Sequence, residues 1–405
     1  MLIEFTVGNF LSFKEKKTLS LEAAAITEFQ HNVVEQAGYK ILRSAVIYGA
    51  NSSGKSNFIN ALINMYEIVK DSAKKGSTDK IKVVPFLLST ATENQPSHFE
   101  VLFLIEGIRY RYGFEVDDSK VYSEWLFQCI KDNEEELFVR VGDDIDISTS
   151  FPGGIGLEMR TRSNALFLSV ADQFNVEIAT TILKWFGEHN IVSGIKHENS
   201  RYMSLSFISD PNYREHLTYF LEEFNLGFGH IKFEGDQENS KDGTMVTYHK
   251  KYDENNNHID DVEFSLISQE SSGTNKLFDL SVHIWFGLFL GEVVVIDELD
   301  AKLHPLITQK IVKLFNDPKT NPNNGQLIFA THDTNLLTHG GFRRDQIYFA
   351  EKDQFEASDL YSLVEYKLED QKKVRKDRSF EKDYIQGRYG AIPFLGNFSE
   401  LVKNG

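Results

Sequence analysis

Eight residues constrain this chain more than any other stretch: Gly49-Ala-Asn-Ser-Ser-Gly-Lys-Ser56, which has the form G-x-x-x-x-G-K-S. They follow 44–48, a short apolar run typical of a strand. They precede 57–66, where the apolar residues recur at helical spacing. A strand, this loop and a helix, in that order, are the context that a phosphate-binding loop (P-loop) requires. The alternative is a glycine-rich turn that matches by chance, and the flanking strand and helix argue against it.

Each residue type in the loop has a physical role. Gly49 and Gly54 let the backbone turn so that successive amides converge on an anion, and the helix directs its positive end to the same point. Lys55 is placed to reach the β- and γ-phosphates, and the Ser56 hydroxyl to take a position on Mg²⁺. We therefore predict a site for ATP and Mg²⁺. Its predicted nucleotide-binding residues are Gly49, Ala50, Asn51, Ser52, Ser53, Gly54, Lys55, Ser56 and Asn57.

Composition narrows the class of protein. The formal net charge of −17 argues against broad electrostatic binding to nucleic acid, although a local basic patch could still exist. Cys129 is the only cysteine, which excludes an intrachain disulfide framework and fits a reducing compartment. The longest apolar stretch, 284–296, is interrupted by Glu292 and is shorter than the ~20 residues of a membrane span. The N-terminus lacks the pattern of a signal peptide. We expect a soluble, cytoplasmic protein with no membrane contact.

A second motif lies far downstream of the loop. The apolar run 293–296 ends in Asp297 and Glu298. A strand that is covered by helices on both faces need not alternate, and function is expected at its carboxyl end. Asp297 is predicted to hold Mg²⁺ through its water shell, the Walker B role, and Glu298 to act as general base on the attacking water. Together with the P-loop, this pair predicts an ATPase with a divided active site.

Two further segments fit the same site. Ser268-Gln-Glu-Ser-Ser-Gly-Thr274 opens a predicted helix, where small residues leave amides free for a phosphate, or where Ser271 or Ser272 is a plain helix cap. His332 follows the predicted strand 326–330. It is placed to touch a γ-phosphate, with a capping or core histidine as the alternative. Their order along the chain favours the functional interpretation for both.

The remaining pattern predicts an α/β protein. The expected elements are a strand over 2–7, antiparallel strands over 99–141, a helix over 164–186, one or two helices within 187–230, a hairpin loop over 250–261, and helices over 273–291 and 307–315.

These pieces, in this order, resemble the ATP-binding-cassette (ABC) ATPases, in particular the SMC/RecF-like head domains. The start, Val7-Gly-Asn-Phe-Leu-Ser-Phe13, is similar to the N-F-x-S-F opening of that group. The resemblance implies that Ser271, Ser272 and Gly273 form the signature motif, that Asp300 is the D-loop acid and that His332 is the switch histidine. The signature departs from the family's S-G-G because Ser272 replaces the first glycine, and Thr274 replaces the usual Gln or Glu. No Q-loop glutamine stands out, and Gln95 lies in a polar loop.

A narrower resemblance covers nearly the whole chain. The Leu-His-Pro of 303–305, the signature form Glu-Ser-Ser-Gly-Thr, Asn164-Ala-Leu-Phe-Leu-Ser169 and the tail 383–394 are similar to the short OLD-like ATPases. Such ATPases are found in bacterial phage-defence and abortive-infection operons, often beside a separate nuclease or toxin that is frequently Toprim-like. Since no Toprim-sized segment follows the ATPase motifs, the resemblance implies that the effector is a second protein.

We therefore predict a P-loop NTPase of the ABC-ATPase head type with an antiparallel β-lobe and a helical insertion. The expected divisions are an N-terminal lobe (1–160), the insertion (161–235) and a C-terminal lobe (236–405). Lys55, Glu298 and His332 are the predicted catalytic residues, and Ser56 and Asp297 the metal ligands. The signature is expected to act in trans, across a homodimer or higher homo-oligomer closed by ATP, with slow or triggered hydrolysis.

Two functional hypotheses follow. In the first, the chain is the regulatory and sensor ATPase of an anti-phage defence system and controls a separate effector. In the second, it is a RecF/SMC-like DNA-repair ATPase that binds DNA itself; the charge of −17 and the lack of a coiled coil favour the first.

Two segments have alternative interpretations that the sequence leaves open. The basic run 372–378 is a solvated loop or a nucleic-acid or partner contact. The tail 384–394 packs on the core or docks a partner.

Overall fold

A computed structural model of the chain describes residues 1–130, 133–234, 244–367 and 373–393. Its strands are β1 (Leu2–Gly8), β2 (Lys17–Ser20), β3 (Val33–Gln36), β4 (Tyr39–Leu42), β5 (Ser44–Tyr48), β6 (Ser97–Ile105), β7 (Ile108–Val116), β8 (Val121–Ile130), β9 (Asn133–Val141), β10 (Asp144–Ile147), β11 (His189–Ser193), β12 (His230–Glu234), β13 (Thr244–Tyr252), β14 (His258–Ser265), β15 (Val293–Asp297), β16 (Gln326–Ala330), β17 (Ile347–Lys352) and β18 (Ser358–Ser362). Its helices are α1 (Lys55–Asp71), α2 (Phe167–Gln173), α3 (Glu177–Gly187), α4 (Arg201–Ser209), α5 (Pro211–Glu222), α6 (Leu266–Gln269), α7 (Ser272–Leu290), α8 (Pro305–Asn316), α9 (Asn335–His339) and α10 (Phe380–Ile385). Within these described ranges, no helix combines the length and the apolar character that crossing a membrane requires.

The chain divides into two compact units. The P-loop unit, named for the loop it carries, comprises Ile3–Glu28, Val46–Leu183 and Phe342–Gly405. The Walker B unit, which carries the acidic strand end, comprises Met1–Leu2, Phe29–Ala45 and Lys184–Gly341. The division into 1–160, 161–235 and 236–405 stays a prediction, and its second boundary falls in 235–243, outside the described residues.

A seven-stranded sheet dominates the P-loop unit. Its strand order is β10-β9-β8-β7-β6-β1-β2. The pairs from β10 to β6, and the pair β1–β2, are antiparallel. Aromatic and β-branched residues alternate along these strands and favour a sheet with one buried face. The antiparallel lobe predicted near residues 99–141 is therefore present as β6 to β9.

Glu124 is a buried carboxylate on β8 that joins the sheet to α2. It accepts hydrogen bonds from the Tyr112 hydroxyl (2.9 Å) and from the amides of Phe167 (2.6 Å) and Leu168 (3.0 Å). Burial raises the pKa of Glu124, and the charge of the nearby Arg140 guanidinium opposes that rise. A buried charge is tolerated only when it is paired and hydrogen-bonded, as here. The first turn of α2 is thus fixed by a side chain of the sheet.

The prediction of one continuous helix over 164–186 was wrong. The structure has two helices there, because α2 ends at Gln173 and α3 begins at Glu177. Asn175, between them, has φ 60°. Asparagine adopts this left-handed conformation more readily than most residues, and it ends a helix. The helices expected within 187–230 are α4 and α5, with β11 before them as a strand that the sequence pattern did not predict.

The Walker B unit contains a parallel group of strands. β15 pairs in parallel with β11 on one side and with β16 on the other. Val293 to Ile296 are buried, which agrees with a strand that is apolar along its whole length. The helix predicted over 273–291 is α7, and that over 307–315 is α8. The expected hairpin near residues 250–261 is the turn joining β13 to β14.

Replacing Glu124 with alanine should destabilise the P-loop unit. The Tyr112 hydroxyl and two buried amides would lose their acceptor, which costs about 3 kcal/mol or more. Urea unfolding followed by circular dichroism should show a lower midpoint. Glu136→Ala, which removes an exposed carboxylate from the neighbouring strand β9, should change stability by less than about 0.5 kcal/mol. Equal midpoints for the two variants would contradict this role for Glu124.

Candidate nucleotide-binding site

The predicted P-loop joins β5 to α1. β5 is buried along its length, and α1 begins at Lys55 immediately after Gly54. Gly54 has φ 110°, a left-handed conformation that glycine adopts without strain. The loop therefore has the strand–turn–helix geometry in which backbone amides and the helix dipole face an anion together.

The buried side chain of Lys55 bonds to the backbone of its own loop. Its side chain is 5% exposed, and its ammonium donates to the carbonyl oxygens of Gly49 (2.8 Å) and Ala50 (3.0 Å). Two charge-assisted hydrogen bonds hold the ammonium against the start of the loop. The positive charge that would meet a phosphate is thus already positioned by the loop's own backbone.

The helix end of the loop rests on two serines: Ser12, which belongs to the N-F-x-S-F segment, and Ser358, which the sequence pattern did not indicate. The Ser358 hydroxyl, on β18, lies 2.9 Å from the Ser53 carbonyl oxygen and 2.7 Å from Ser12 Oγ. The Ser358 amide donates to the Ser12 carbonyl oxygen (2.7 Å). Asn57 donates from Nδ2 to Ser12 Oγ (2.8 Å). The side chain of Asn57, a predicted nucleotide ligand, therefore supports the loop through the N-F-x-S-F segment.

The loop residues fit an anionic ligand. A Cβ at Gly54 would lie 3.1 Å from Ser12 Oγ and 2.8 Å from Ser358 Cβ, and one at Gly49 would overlap the Ala350 carbonyl oxygen. Glycine is thus required at both ends for close backbone approach. Asn51 and Ser52 are exposed at the tip of the loop. A buried lysine at the start of a helix, behind a glycine-rich turn, suits an anionic ligand such as a phosphate.

The acidic pair lies at a tight turn in the Walker B unit. Asp297 ends β15, and Glu298, the next residue, has φ 53°. The Gly194 amide donates to the Asp297 carbonyl oxygen (2.6 Å). A Cβ at Gly194 would overlap the Glu298 carbonyl oxygen, so only glycine allows this approach. A non-glycine residue in this conformation is strained and marks a candidate functional position.

Lys276 of α7 holds this turn. It is fully buried and donates to the carbonyl oxygens of Glu298 (3.0 Å), Leu299 (2.9 Å) and Ala301 (2.7 Å). Burial lowers the pKa of Lys276 to about 8, and the charges of Asp300 and Glu298 oppose that change. The sequence contained a signal for this role, because Lys276 is the only lysine of a largely apolar helix, and a buried charge needs acceptors.

The predicted D-loop acid and switch histidine meet within the same unit. The amide of His332 lies 3.3 Å and 3.4 Å from the two carboxylate oxygens of Asp300. The Leu299 amide donates to the Ala330 carbonyl oxygen (3.1 Å). Because β15 and β16 are parallel neighbours, the residues that follow them lie at the same edge. Glu298, Asp300 and His332 thus follow two neighbouring strands at the same edge of the sheet.

The predicted signature lies at the start of α7. Ser271 is the helix cap and accepts from the Thr274 amide (3.1 Å), so the plain capping interpretation holds for its side chain. Ser271 and Ser272 are exposed. A Cβ at Gly273 would lie 2.8 Å from the Lys302 carbonyl oxygen, so the helix start contacts the end of the acidic turn. Phosphate recognition by these residues stays a prediction.

Three other predicted segments have clear positions. Gln95 lies in a loop of the P-loop unit, where its carbonyl oxygen accepts a hydrogen bond from Asn9 Nδ2 (2.8 Å). Asn164 and Ser169 donate to backbone carbonyls at or beyond the end of α1, so this resemblance motif supports the P-loop helix. Residues 384–391 of the tail pack within the P-loop unit, while Lys372 and Phe394 lie outside the described residues.

The family assignment follows from a comparison with known families. Residues 44–338, which include the P-loop, the acidic pair and His332, match the family described as "AAA domain, putative AbiEii toxin, Type IV TA system". The chain belongs to this family. The predicted α/β P-loop NTPase fold of this AAA family member is confirmed, and its placement among the ABC-ATPase heads stays a prediction.

Other comparisons are more distant. The AAA chain is similar to the SMC head domain from Thermotoga maritima, with 13% identity, a TM-score of 0.41 and coverage of 89% of this chain and 98% of that one. It is similar to an Smc head bound to the C-winged helix domain of ScpA, with 13% identity and a TM-score of 0.46. This match covers 89% of this chain and 97% of that one. It is also similar to an Smc head domain derived from Pyrococcus furiosus. In that comparison the sequence identity is 12% and the TM-score is 0.45, and the match covers 89% of this chain and 96% of that one. At this distance they carry no conclusion about activity or partners. No protein of curated function matches the chain.

Replacing Gly54 with alanine should abolish or strongly weaken nucleotide binding. The new Cβ would overlap the Ser358 side chain, and φ 110° would strain it, which costs about 1–3 kcal/mol. We expect a Kd for ATP at least about tenfold higher by calorimetric titration. Gly76→Ala is the matched control in the same unit, because its Cβ would meet only Asp79 Oδ2, at 3.4 Å. Unchanged affinity in Gly54→Ala would contradict a phosphate-binding role for this loop.

Proposed function

We propose that the chain is a regulatory ATPase that binds ATP and Mg²⁺, closes into a homo-oligomer on binding, and controls a separate effector in a bacterial anti-phage defence system. Membership of an AAA family supports nucleotide hydrolysis in general. The observation that carries the proposal is Lys55, held buried against the carbonyls of its own glycine-rich loop. That arrangement suits the binding of a triphosphate better than any other chemistry.

The proposed roles of individual residues follow their chemistry. The loop amides and Lys55 bind and orient the β- and γ-phosphates. Ser56 and Asp297 would hold Mg²⁺, which neutralises charge on the phosphates when bound. Glu298 accepts a proton from the attacking water as general base. His332, two residues beyond β16 and bonded through its amide to Asp300, contacts the γ-phosphate.

The signature is proposed to act in trans. Ser271 and Ser272 are exposed, and α7, which they open, is tied through Lys276 to the turn that carries Glu298. A second copy that placed its Ser271–Gly273 against the γ-phosphate would add amide and hydroxyl donors to the bound nucleotide. ATP would then link two copies, and hydrolysis would release them. Slow or triggered turnover suits such a switch.

A separate effector, Toprim-like nuclease or toxin, is the proposed partner. The family description refers to a toxin of a toxin–antitoxin system, which supports a defence role for this family member. The net charge of −17 disfavours direct binding of nucleic acid. Direct, salt-dependent and ATP-stimulated binding to duplex DNA would instead favour a RecF-like repair ATPase.

Glu298→Gln should accumulate an ATP-bound dimer. The amide cannot take the proton from water, so the closed state persists while binding is retained. Size-exclusion chromatography with Mg²⁺ and ATP should show a shift to twice the monomer mass. Lys55→Ala, which removes phosphate binding, should elute identically with and without ATP. An elution volume of Glu298→Gln that does not respond to ATP would argue against nucleotide-driven dimerisation.

Defence should need both an intact nucleotide site and a neighbouring gene. We expect bacteria that carry this gene with its native neighbours to resist phage in plaque assays, and Lys55→Ala to abolish resistance. Deleting the neighbouring genes should also abolish it. Resistance conferred by this chain alone would contradict a separate effector. Resistance unaffected by Lys55→Ala would contradict control by ATP.

A further inference from the structure

Asp279 is a carboxylate of α7 that is fully inaccessible to solvent. Arg201, at the start of α4, donates to its two oxygens from Nε (3.0 Å) and Nη2 (2.8 Å). His197 Nδ1 lies 2.7 Å from Asp279 Oδ2. A buried charge is tolerated only when it is paired and hydrogen-bonded, as here. The roles proposed above use none of these three residues, so the network needs an explanation of its own.

The ring of His197 joins Asp279 to the turn 298–302, which begins with the proposed general base. Its Nε2 lies 3.2 Å from the ammonium of Lys302, and the Glu198 carboxylate lies 3.5 Å from the same ammonium. An ammonium can only donate, so Nε2 accepts and the ring proton is on Nδ1, which donates it to Asp279. The buried carboxylate thus fixes both the tautomer and the orientation of the ring.

Lys302 meets α7 at two points. Its carbonyl oxygen lies so close to Gly273 that a Cβ there would be 2.8 Å from it. Its ammonium is linked through His197 to Asp279, which lies further along the same helix. The backbone and the side chain of one residue therefore fix the end of the turn against α7.

The turn 298–302 needs such support because two of its residues have a strained backbone. Glu298 has φ 53° and Lys302 has φ 63°. Residues other than glycine keep this conformation only where the surrounding structure determines it. Lys276 holds three carbonyl oxygens of the turn, and His197 holds the last side chain.

We infer that His197 is a positioning residue for ATP hydrolysis: held by Asp279, it orients Lys302 and keeps Glu298 in the position of a general base. The inference rests on the proposed ATPase function. It assigns a role to the predicted helical insertion, 161–235, to which His197 belongs. A general base acts only within hydrogen-bond reach of the water, so a small displacement of the turn lowers kcat. The nucleotide itself is bound by the P-loop, so its affinity should not change.

Three variants test this assignment. His197→Phe keeps a ring and removes both nitrogens, and Lys302→Met keeps the stem of the side chain and removes the ammonium. His283→Phe is the matched control, because His283 is a second buried histidine of the same unit, and its Nδ1 lies 2.9 Å from Asn190 Oδ1. The Lys302 side chain is 40% exposed, so Lys302→Met should fold even if His197→Phe does not.

Phosphate release from ATP should show kcat about tenfold lower in His197→Phe and in Lys302→Met, with KM for ATP within about twofold of wild type. The double variant should be no slower than either single variant, since both changes break the same contact. His283→Phe should lower the melting temperature as His197→Phe does, but its kcat should stay within about twofold of wild type.

Three results would overturn the inference and leave the proposed ATPase function standing. They are wild-type kcat in Lys302→Met, an equal loss of kcat in His283→Phe, and losses that multiply in the double variant. Absence of ATP hydrolysis by the wild type would instead overturn the proposed function.

Discussion

The hydrogen bonds from Lys55 to the carbonyls of Gly49 and Ala50 are the interaction on which the phosphate-binding loop depends. They place a buried positive charge at the start of α1 and keep the loop closed around it. The surrounding contacts serve that geometry. Ser358 and Ser12 fix the helix end of the loop, and the ring of Tyr384 packs against that of Tyr48, the residue before the loop. The loop is thus preorganised by three chain segments that are far apart in the sequence.

In the Walker B unit, a buried side chain holds the turn that carries the acidic pair. A buried lysine, Lys276, holds three carbonyls of the turn that carries Glu298, and Gly194 leaves space for the same backbone. Lys276 belongs to the helix that begins at the predicted signature, so one side chain joins that helix to the turn that carries Glu298.

Local patterns in the sequence predicted much of this arrangement. The strand, loop and helix around Lys55, the apolar β15 with its terminal acids, and the antiparallel β6–β9 all follow from short-range spacing. The break at Asn175 was missed because the apolar positions keep helical spacing across it, and only its left-handed backbone ends α2. β11 was missed because a five-residue strand among polar neighbours has little pattern. The contacts of Ser12 and Ser358 join residues 346 positions apart, and single-sequence spacing contains no information about such pairs.

The central claim is that one copy's P-loop and another copy's signature act on the same nucleotide. It is tested most directly by mixing two inactive variants, Lys55→Ala and Ser272→Arg, and measuring phosphate release from ATP. Ser272 is exposed, so arginine can be accommodated there without disturbing the core. A mixed dimer should regain one intact composite site, so that the mixture hydrolyses ATP faster than the two variants measured separately. A mixture that is no more active than its components would contradict it.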